Sequence, residues 1–331
     1  MIKVSVAVIT YNQEKTIRQA LDSILRQRGD FELEVVIGED CSTDGTWQIC
    51  KEYEVHYPDN VRLLPNTHNL GIMSNFARTY CSCSGDYLSV IAGDDFYCDN
   101  RALEKQIQYL VQHPSVGVMG ANGYRFFVRK NKMVPGLNQT ITEETDKAKE
   151  FYFRKSYSGG VFFKPVGFMI RRKLLGYLDF EEMIRRGLPV EDYPMQAILS
   201  QYTLFACLPD LLVVYRIYKE SATFVSLDDA GYLEYHKGLV ETRRYLNELF
   251  PNDACISDTD QKEYLFYKEF LLYLHQLQYK RAKELIADVD LQIKESAKVK
   301  RAQSFTKSRV HFLFAHISKE YRVKQALKNN T

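Results

Sequence analysis

The chain has 331 residues, enough to bury a large core and to hold one sizeable domain with an appendage. A formal charge of +2 is close to balance and argues against a general nucleic-acid binder. No apolar run approaches the roughly 18–20 residues needed to cross a bilayer. Residues 4–9 are apolar but too short for a signal peptide, and no small-residue cleavage site follows. Seven scattered cysteines, with only Cys81 and Cys83 close together, read as free thiols of a reducing cytoplasm rather than a zinc site. The sequons at Asn138 and Asn329 are then chance matches.

Strand and helix signals alternate from the start. Residues 4–9 predict a buried strand. Ile17, Ala20, Leu21, Ile24 and Leu25 recur at helical spacing and predict an amphipathic helix over 14–28. A strand follows over 33–37, then a helix over 43–53 capped by Ser42 or Thr43. Residues 61–64, 87–92, 116–119 and 124–128 predict further strands, with helices over 73–81 and from Leu103 to the His113-Pro114 stop. The polar stretch 130–149 reads as a surface loop. Strands are expected again over 162–170 and 211–215, with a helix over 192–200 between them. Such alternation builds a doubly wound, mixed but mostly parallel α/β sheet. Trp47 is expected in the core.

Beyond about residue 226 the strand signal ends. Helices over 232–249, 260–277 and 281–293 are rich in Tyr and Leu, so the domains are read as 1–225 and a helical extension over 226–331. Residues 291–331 carry a net charge of about +8, which leaves about −6 on the rest. Val310, Phe312, Leu313, Phe314 and Ile317 form an apolar patch between basic flanks. The tail suits either a helix packed on the main domain or one lying on an anionic membrane surface.

Two acidic clusters carry the chemistry. Glu39-Asp40-Cys41-Ser42-Thr43-Asp44-Gly45-Thr46 follows the second predicted strand, and Gly93-Asp94-Asp95 follows the fourth. Both fall where open α/β sheets bind ligands, past the carboxyl ends of strands. Crowded carboxylates repel, so a cation or a donor-rich ligand is needed to hold them together. A divalent metal with a nucleotide meets both needs. Asp44 reads better as a cap for the next helix, whereas capping by Asp40 and a plain turn at Asp94-Asp95 are the competing explanations there.

In order, the segments at 4–12 and 34–46, Asn69-Leu70-Gly71, Gly93-Asp94-Asp95, Glu191-Asp192 and Tyr215-Arg216 resemble a family 2 glycosyltransferase of the GT-A fold, of the bacterial surface-polysaccharide type. The resemblance covers residues 1 to about 225. It implies that Thr10, Tyr11 and Asn12 close the first strand against a nucleotide sugar, usually UDP-linked, and that Asp40 accepts the imide N–H of the base. It implies Mg2+ or Mn2+ on Asp95, with Asp94 facing the ribose or sugar, and Asn69 and Gly71 forming a turn beside the nucleotide. Asp192 would be the base that activates an acceptor hydroxyl, with Glu191 beside it in the substrate site. Inversion at the anomeric carbon also comes from the resemblance. Many relatives carry a His two residues after the Tyr-Arg; here Tyr218 stands there, a poor ligand for a hard dication. The acceptor implied is a glycan or lipid-linked oligosaccharide, and Gly159-Gly160 falls near where acceptor-facing elements lie.

Other readings share parts of this pattern. A nucleotidyltransferase or a dinucleotide enzyme needs glycines after the first strand, and residues 10–14 contain none. A glycoside hydrolase has no need of paired aspartates within a nucleotide motif. A non-catalytic nucleotide-sugar-binding scaffold of the same fold stays open.

Overall fold

A computed structural model describes residues 1–139, 141–145, 147–153, 162–218, 231–253, 257–309, 311–313 and 315–316, with the side chains of 142–145 excepted. The chain divides into two compact units, Met1–Tyr218 and Lys219–Thr331.

The first unit opens with β1 (Lys3–Thr10), α1 (Ile17–Leu25), β2 (Glu32–Glu39), α2 (Thr46–His56), β3 (Val61–Pro65), α3 (Ile72–Cys81) and β4 (Tyr87–Ala92). The short β5 (Phe96–Tyr97) precedes α4 (Ala102–Gln112), β6 (Val116–Gly120), β7 (Gly123–Phe127), β8 (Lys132–Pro135), β9 (Ile141–Thr145) and α5 (Lys147–Phe153). The unit ends with β10 (Phe168–Arg171), α6 (Phe180–Arg185), α7 (Asp192–Leu199), β11 (Leu204–Cys207) and β12 (Val213–Ile217).

Eight strands form one sheet in the order β3-β2-β1-β4-β10-β6-β11-β9, and β5-β12-β7-β8 form a second of four. In the large sheet β1, β2, β3 and β4 run parallel, as do β6 and β11, while β10 lies antiparallel between β4 and β6. This is the mixed, mostly parallel α/β sheet expected. β1 is flanked on both sides, which is why its run of Val, Ala and Ile is apolar on both faces. The α1 stripe of Ile17, Ala20, Leu21 and Ile24 is fully buried, each large side chain contributing about 1.5–3 kcal/mol. Trp47 packs partly buried against the same core.

Several expectations are corrected. Residues 130–149 are not a loop: Asn131, at φ 48°, turns β7 back into β8, and β9 adds to the edge of β11. The strand expected over 162–170 shrinks to β10, because Pro165 lacks an N–H and Gly167 sits at φ 66°. β5 and β11 went unrecognised, each being too short for a periodic signal.

The second unit contains α8 (Tyr232–Leu249), α9 (Asp258–His275), α10 (Tyr279–Ala287) and α11 (Ala297–Phe305). A reciprocal cap between Ser257 and Asp260 starts α9. The core of this unit includes Phe266, Phe270, Leu274, Val299, Ala302 and Phe312. Phe312 is therefore a core residue of this unit. Two of the tail's cations pair within the unit, Lys298 with Glu263 and Lys300 with Glu295. α10 ends at Ala287, before the expected 293. The boundary expected at 225/226, the Gly159-Gly160 stretch, Cys255, and Val310, Phe314, Ile317 and the cations from Lys319 onward lie outside the described residues. The described cysteines are all free thiols. Among the described residues no helix is long and apolar enough to cross a membrane.

Candidate active site

The register gathers the acidic clusters at one edge. Thr10 of β1 lies opposite Glu39 of β2, and Ile9 lies opposite Ala92 of β4, all three strands running the same way. Tyr11-Asn12, Asp40 and Gly93-Asp94-Asp95 therefore leave the sheet together at its carboxyl edge. β2 and β4 are two strands apart, about 10 Å at ordinary strand spacing. That span suits a nucleotide.

Asp40 is 3% exposed, and its carboxylate is held from several sides. Oδ1 accepts from Asn66 Nδ2 at 2.8 Å and from Leu70 N at 2.8 Å, while Oδ2 accepts from Gly71 N at 3.0 Å. A carboxylate offers about four acceptor sites, so counted over the described residues one remains on Oδ2 for a further donor. Asn69 Nδ2 reaches the Asp40 carbonyl at 3.2 Å. Gly71 makes this approach at φ 82° and ψ 166°, a conformation reserved almost wholly for glycine. Tyr11 is 44% exposed at the same edge, leaving its ring available to a planar partner.

The rest of the first cluster serves the loop. Asn12, at φ 53°, receives Thr43 N on its side-chain oxygen and donates its own N–H to Ser42 Oγ. Glu39 accepts from Cys41 N and Ser42 N. Asp44 accepts from Thr46 N at 3.0 Å and from Glu14 N at 3.1 Å; the cap position of α2 is Gly45, so Asp44 ties the loop to the first helical residue instead of occupying the cap itself. Ser42 and Thr43 do not cap α2. That helix begins later, at Thr46, because the 12–14 loop engages both residues and the Glu14 carboxylate takes Gly45 N at 2.8 Å. Thr10 donates its hydroxyl to Gln13 and accepts Asp40 N on its carbonyl.

The second cluster is braced by β12. Asp95 is 3% exposed, and its Oδ1 accepts from the backbone N–H of Arg216 at 2.8 Å. Burial and the neighbouring Asp94 push its carboxyl well above the usual carboxylate range. The Arg216 guanidinium donates to the Asp94 carbonyl and to Gln19, and lies over the Phe96 ring at 4.8 Å. Tyr218 donates its hydroxyl to Asp94 Oδ2. Burial and Asp94 raise the Tyr218 phenol, which therefore keeps its proton and donates it to Asp94. A Cβ on Gly93 would meet Gln13 Oε1 at 2.5 Å and Thr10 Oγ1 at 2.7 Å, so a side chain there would have to displace the Thr10–Gln13 hydrogen bond.

These residues fit a hard dication. Asp95 Oδ2 carries no hydrogen bond among the described residues, and a carboxylate this costly to ionise is eased by an arriving cation. Among the described residues no three His, Cys, Asp or Glu side chains form a metal cage by themselves. One or two carboxylates completed by phosphates and water is the usual arrangement for Mg2+.

The third acidic pair reaches the same edge from the helix side. β10 begins at Phe168 opposite Val90, so the preceding residues 162–167 lie at the carboxyl edge. Gln196 of α7 grips Phe163 twice, accepting its N–H at 2.9 Å and donating to its carbonyl at 2.8 Å. Asp192 stands one turn before Gln196, at the start of α7, with Glu191 in the cap position making no side-chain cap bond. Both carboxylates are surrounded by protein while keeping part of their surface open. Burial and the Asp192 charge raise Glu191 to about 8, and burial raises Asp192 to about 6, with Lys164 pulling it back. Of two such carboxyls, one holds a proton at neutral pH and the other accepts one.

The sequence profile of glycosyl transferase family 2 matches residues 5–178, just over half of the chain. The chain belongs to that family. An uncharacterised protein of Mycobacterium tuberculosis is 41% identical over 114 residues, 34% of this chain and 33% of its own length. EpsE of Bacillus subtilis, named as a glycosyltransferase, is 34% identical over 138 residues, 41% of this chain and 49% of its own. The chain thus spans a third to a half of the length of these curated relatives. Among solved structures, S. aureus TarS 1–349 in complex with UDP-GlcNAc superposes with a TM-score of 0.58 at 18% identity, over 97% of this chain and 92% of that one. Mannosyltransferase PcManGT from Pyrobaculum calidifontis, in complex with GDP-Man and Mn2+, gives 0.51 at 18% identity over 96% and 87%. At such identity the likeness is one of fold, the GT-A fold of glycosyltransferases.

In this family 2 member, sequence reasoning missed Lys164, Gln196, Asn66 and Asn138. None stands in an acidic motif, and polar residues scattered between elements give no periodic signal. Asn138 is a structural amide: it accepts Lys164 N at 2.9 Å and donates to the Ala121 carbonyl at 2.8 Å. A groove of about 630 Å³ between Tyr87, Arg171 and Lys173 opens at the opposite edge of the sheet, away from every acidic pair.

Proposed function

We propose that this chain is a glycosyltransferase that moves one sugar from a nucleotide donor, UDP-linked, to an acceptor hydroxyl on a glycan or lipid-linked oligosaccharide, with inversion, in surface-polysaccharide synthesis. The observation that carries the reading is the arrival of three acidic groups, Asp40, Asp94-Asp95 and Glu191-Asp192, at one sheet edge in a family 2 chain.

In this reading the remaining acceptor site of Asp40 takes the imide N–H of the base, and the Tyr11 ring covers it. Thr10, Asn12, Asn69 and Gly71 shape the wall. The second carboxylate oxygen of Asp94, the one Tyr218 does not hold, accepts a hydroxyl of the ribose or sugar. Asp95 Oδ2 would hold Mg2+ or Mn2+, which when bound neutralises charge on the departing diphosphate. Asp192 accepts the acceptor's proton as that oxygen bonds to the anomeric carbon. The bond from that carbon to the diphosphate breaks, its electron pair leaving with the nucleotide. Attack from the face opposite the diphosphate inverts the centre. Glu191, protonated, adds no second negative charge beside the base.

Titration calorimetry with UDP and Mn2+, followed by UDP release from UDP-sugars over an acceptor panel, tests this. Binding with turnover is expected. Binding without turnover on every acceptor selects the scaffold reading, and no binding overturns both.

The basic tail favours a location at an anionic membrane surface, with the enzyme at the cytoplasmic face. Each cation near such a surface contributes about 1 kcal/mol. Changing Lys319, Arg322, Lys324 and Lys328 to Gln should weaken sedimentation with phosphatidylglycerol vesicles by at least about tenfold. Unchanged binding removes the membrane role. Substitution is preferred to deleting residues 300–331, which would take Ala302 and Phe312 from the helical core.

A further inference from the structure

The loop after β3 holds the Asp40 carboxylate through a side chain whose own orientation is fixed from three directions. Asn66 Nδ2 donates to Asp40 Oδ1 at 2.8 Å and to Asn75 Oδ1 at 3.1 Å. The Asn66 side-chain oxygen accepts from Arg78 Nη1. The Asn75 amide is set in turn, since its Nδ2 donates to the Gly38 carbonyl at 2.9 Å in a buried position. Arg78 stands exposed on α3 and also donates to the Pro65 carbonyl at 3.1 Å. A guanidinium carries only donors, so the Asn66 oxygen must face it and the NH2 must face Asp40. Turning the amide over would set its oxygen against the oxygens of Asp40 and Asn75, and its NH2 against Arg78.

The other donors on Asp40 are the backbone N–H groups of Leu70 and Gly71, at 2.8 and 3.0 Å. Both carboxylate oxygens are thus held by the segment 66–71. Donors on both oxygens keep the carboxylate plane from turning, so the remaining acceptor lobe on Oδ2 has one direction. A fixed lobe distinguishes bases by the position of their donor. Uracil carries an N–H at ring position 3. Cytosine carries a lone pair there, and its donor lies one atom farther out, on the exocyclic amine. A carboxylate free to swing reaches either.

With Asp40 receiving the base, as in the proposed function on which this rests, we infer that Asn66 and Arg78 are positioning residues that aim the open lobe of Asp40 and so select a nucleoside diphosphate with an N–H at the ring position uracil presents. Arg78 acts at second hand: it orients Asn66, and Asn66 orients Asp40. Without the guanidinium the Asn66 amide can turn over and withdraw its donor. Asp40 then swings, and discrimination between bases falls while the ribose and phosphates keep their contacts.

Titration calorimetry of the full chain with UDP and with CDP, each in the presence of Mn2+, tests this, because the two share ribose and diphosphate. The parent should prefer UDP. Arg78→Met should cut that preference roughly tenfold, the scale of one hydrogen bond to a charged group, through weaker UDP binding with CDP little changed. Asn66→Ala should cut it at least as far, and the double variant no further than Asn66→Ala alone, since Arg78 acts through Asn66. Equal weakening of both nucleotides in Arg78→Met, which a merely structural role gives, overturns the inference. An unchanged preference there, or losses that add in the double variant, overturns it too. Asp40→Asn run in parallel separates the two claims. A parent without preference, or an Asp40→Asn variant that keeps it, sinks the placement of the base at Asp40. A preference lost in Asp40→Asn and kept in Arg78→Met sinks only the roles of Asn66 and Arg78.

Discussion

Asp192→Asn should bind UDP and Mn2+ as the parent does while transferring sugar about 10²–10⁴ times more slowly, the range general-base catalysis supplies. The change keeps the shape of the side chain at the head of α7 and removes only its capacity to take a proton. Glu191→Gln should cost far less, because a neutral amide stands in for a carboxyl that already holds its proton. Wild-type kcat/KM should fall as pH drops through the Asp192 value of about 6, where the base becomes protonated. The stability sign is opposite to the usual carboxylate case. Both groups have folded values above their unfolded ones, so the native state keeps a proton that the unfolded chain releases, and the pair costs stability as pH rises from about 4 toward 8. Equal losses in the Asp192→Asn and Glu191→Gln variants, or donor binding lost with Asp192→Asn, would contradict this division of labour.

Asp95→Asn should split function from stability. The amide oxygen can still accept Arg216 N, so the β12 brace survives. The charge goes. Nucleotide binding supported by Mn2+ should weaken by at least about 100-fold, since loss of a direct ligand exceeds the 10–100-fold cost of losing a supporting one. The same variant without ligand should melt higher, by roughly 2–4 °C if relieving the buried repulsion with Asp94 is worth about 1 kcal/mol. Chelation should reproduce the binding loss in the wild type and change nothing further in Asp95→Asn. A variant that binds UDP and Mn2+ normally would remove Asp95 from the metal site.

The two results draw on different kinds of legibility. The acidic motifs were visible because each follows an apolar strand and no ordinary turn requires so many carboxylates. Their meeting was not visible in any one segment. It depends on β1 pairing with both β2 and β4 in parallel register, which puts residues more than fifty positions apart on one edge. The Tyr218 departure could be read as the loss of a ligand; that its phenol would hold Asp94 could not, since the bond joins residues 124 apart. Expectation failed most in residues 130–149, where polar side chains mask strands that only their partners stabilise.

Local order along the chain was enough to determine the strand–helix alternation, the placement of carboxylates at strand ends and the change to a helical second part, because periodicity and turn chemistry act over a few residues. Tertiary structure alone decided which acceptor sites of Asp40 are already taken, which oxygen of Asp95 is open, and that Gln196 of α7 holds Phe163 by both its N–H and its carbonyl. Those outcomes depend on desolvation and on hydrogen bonds between distant segments, quantities that have no value until the chain has closed on itself.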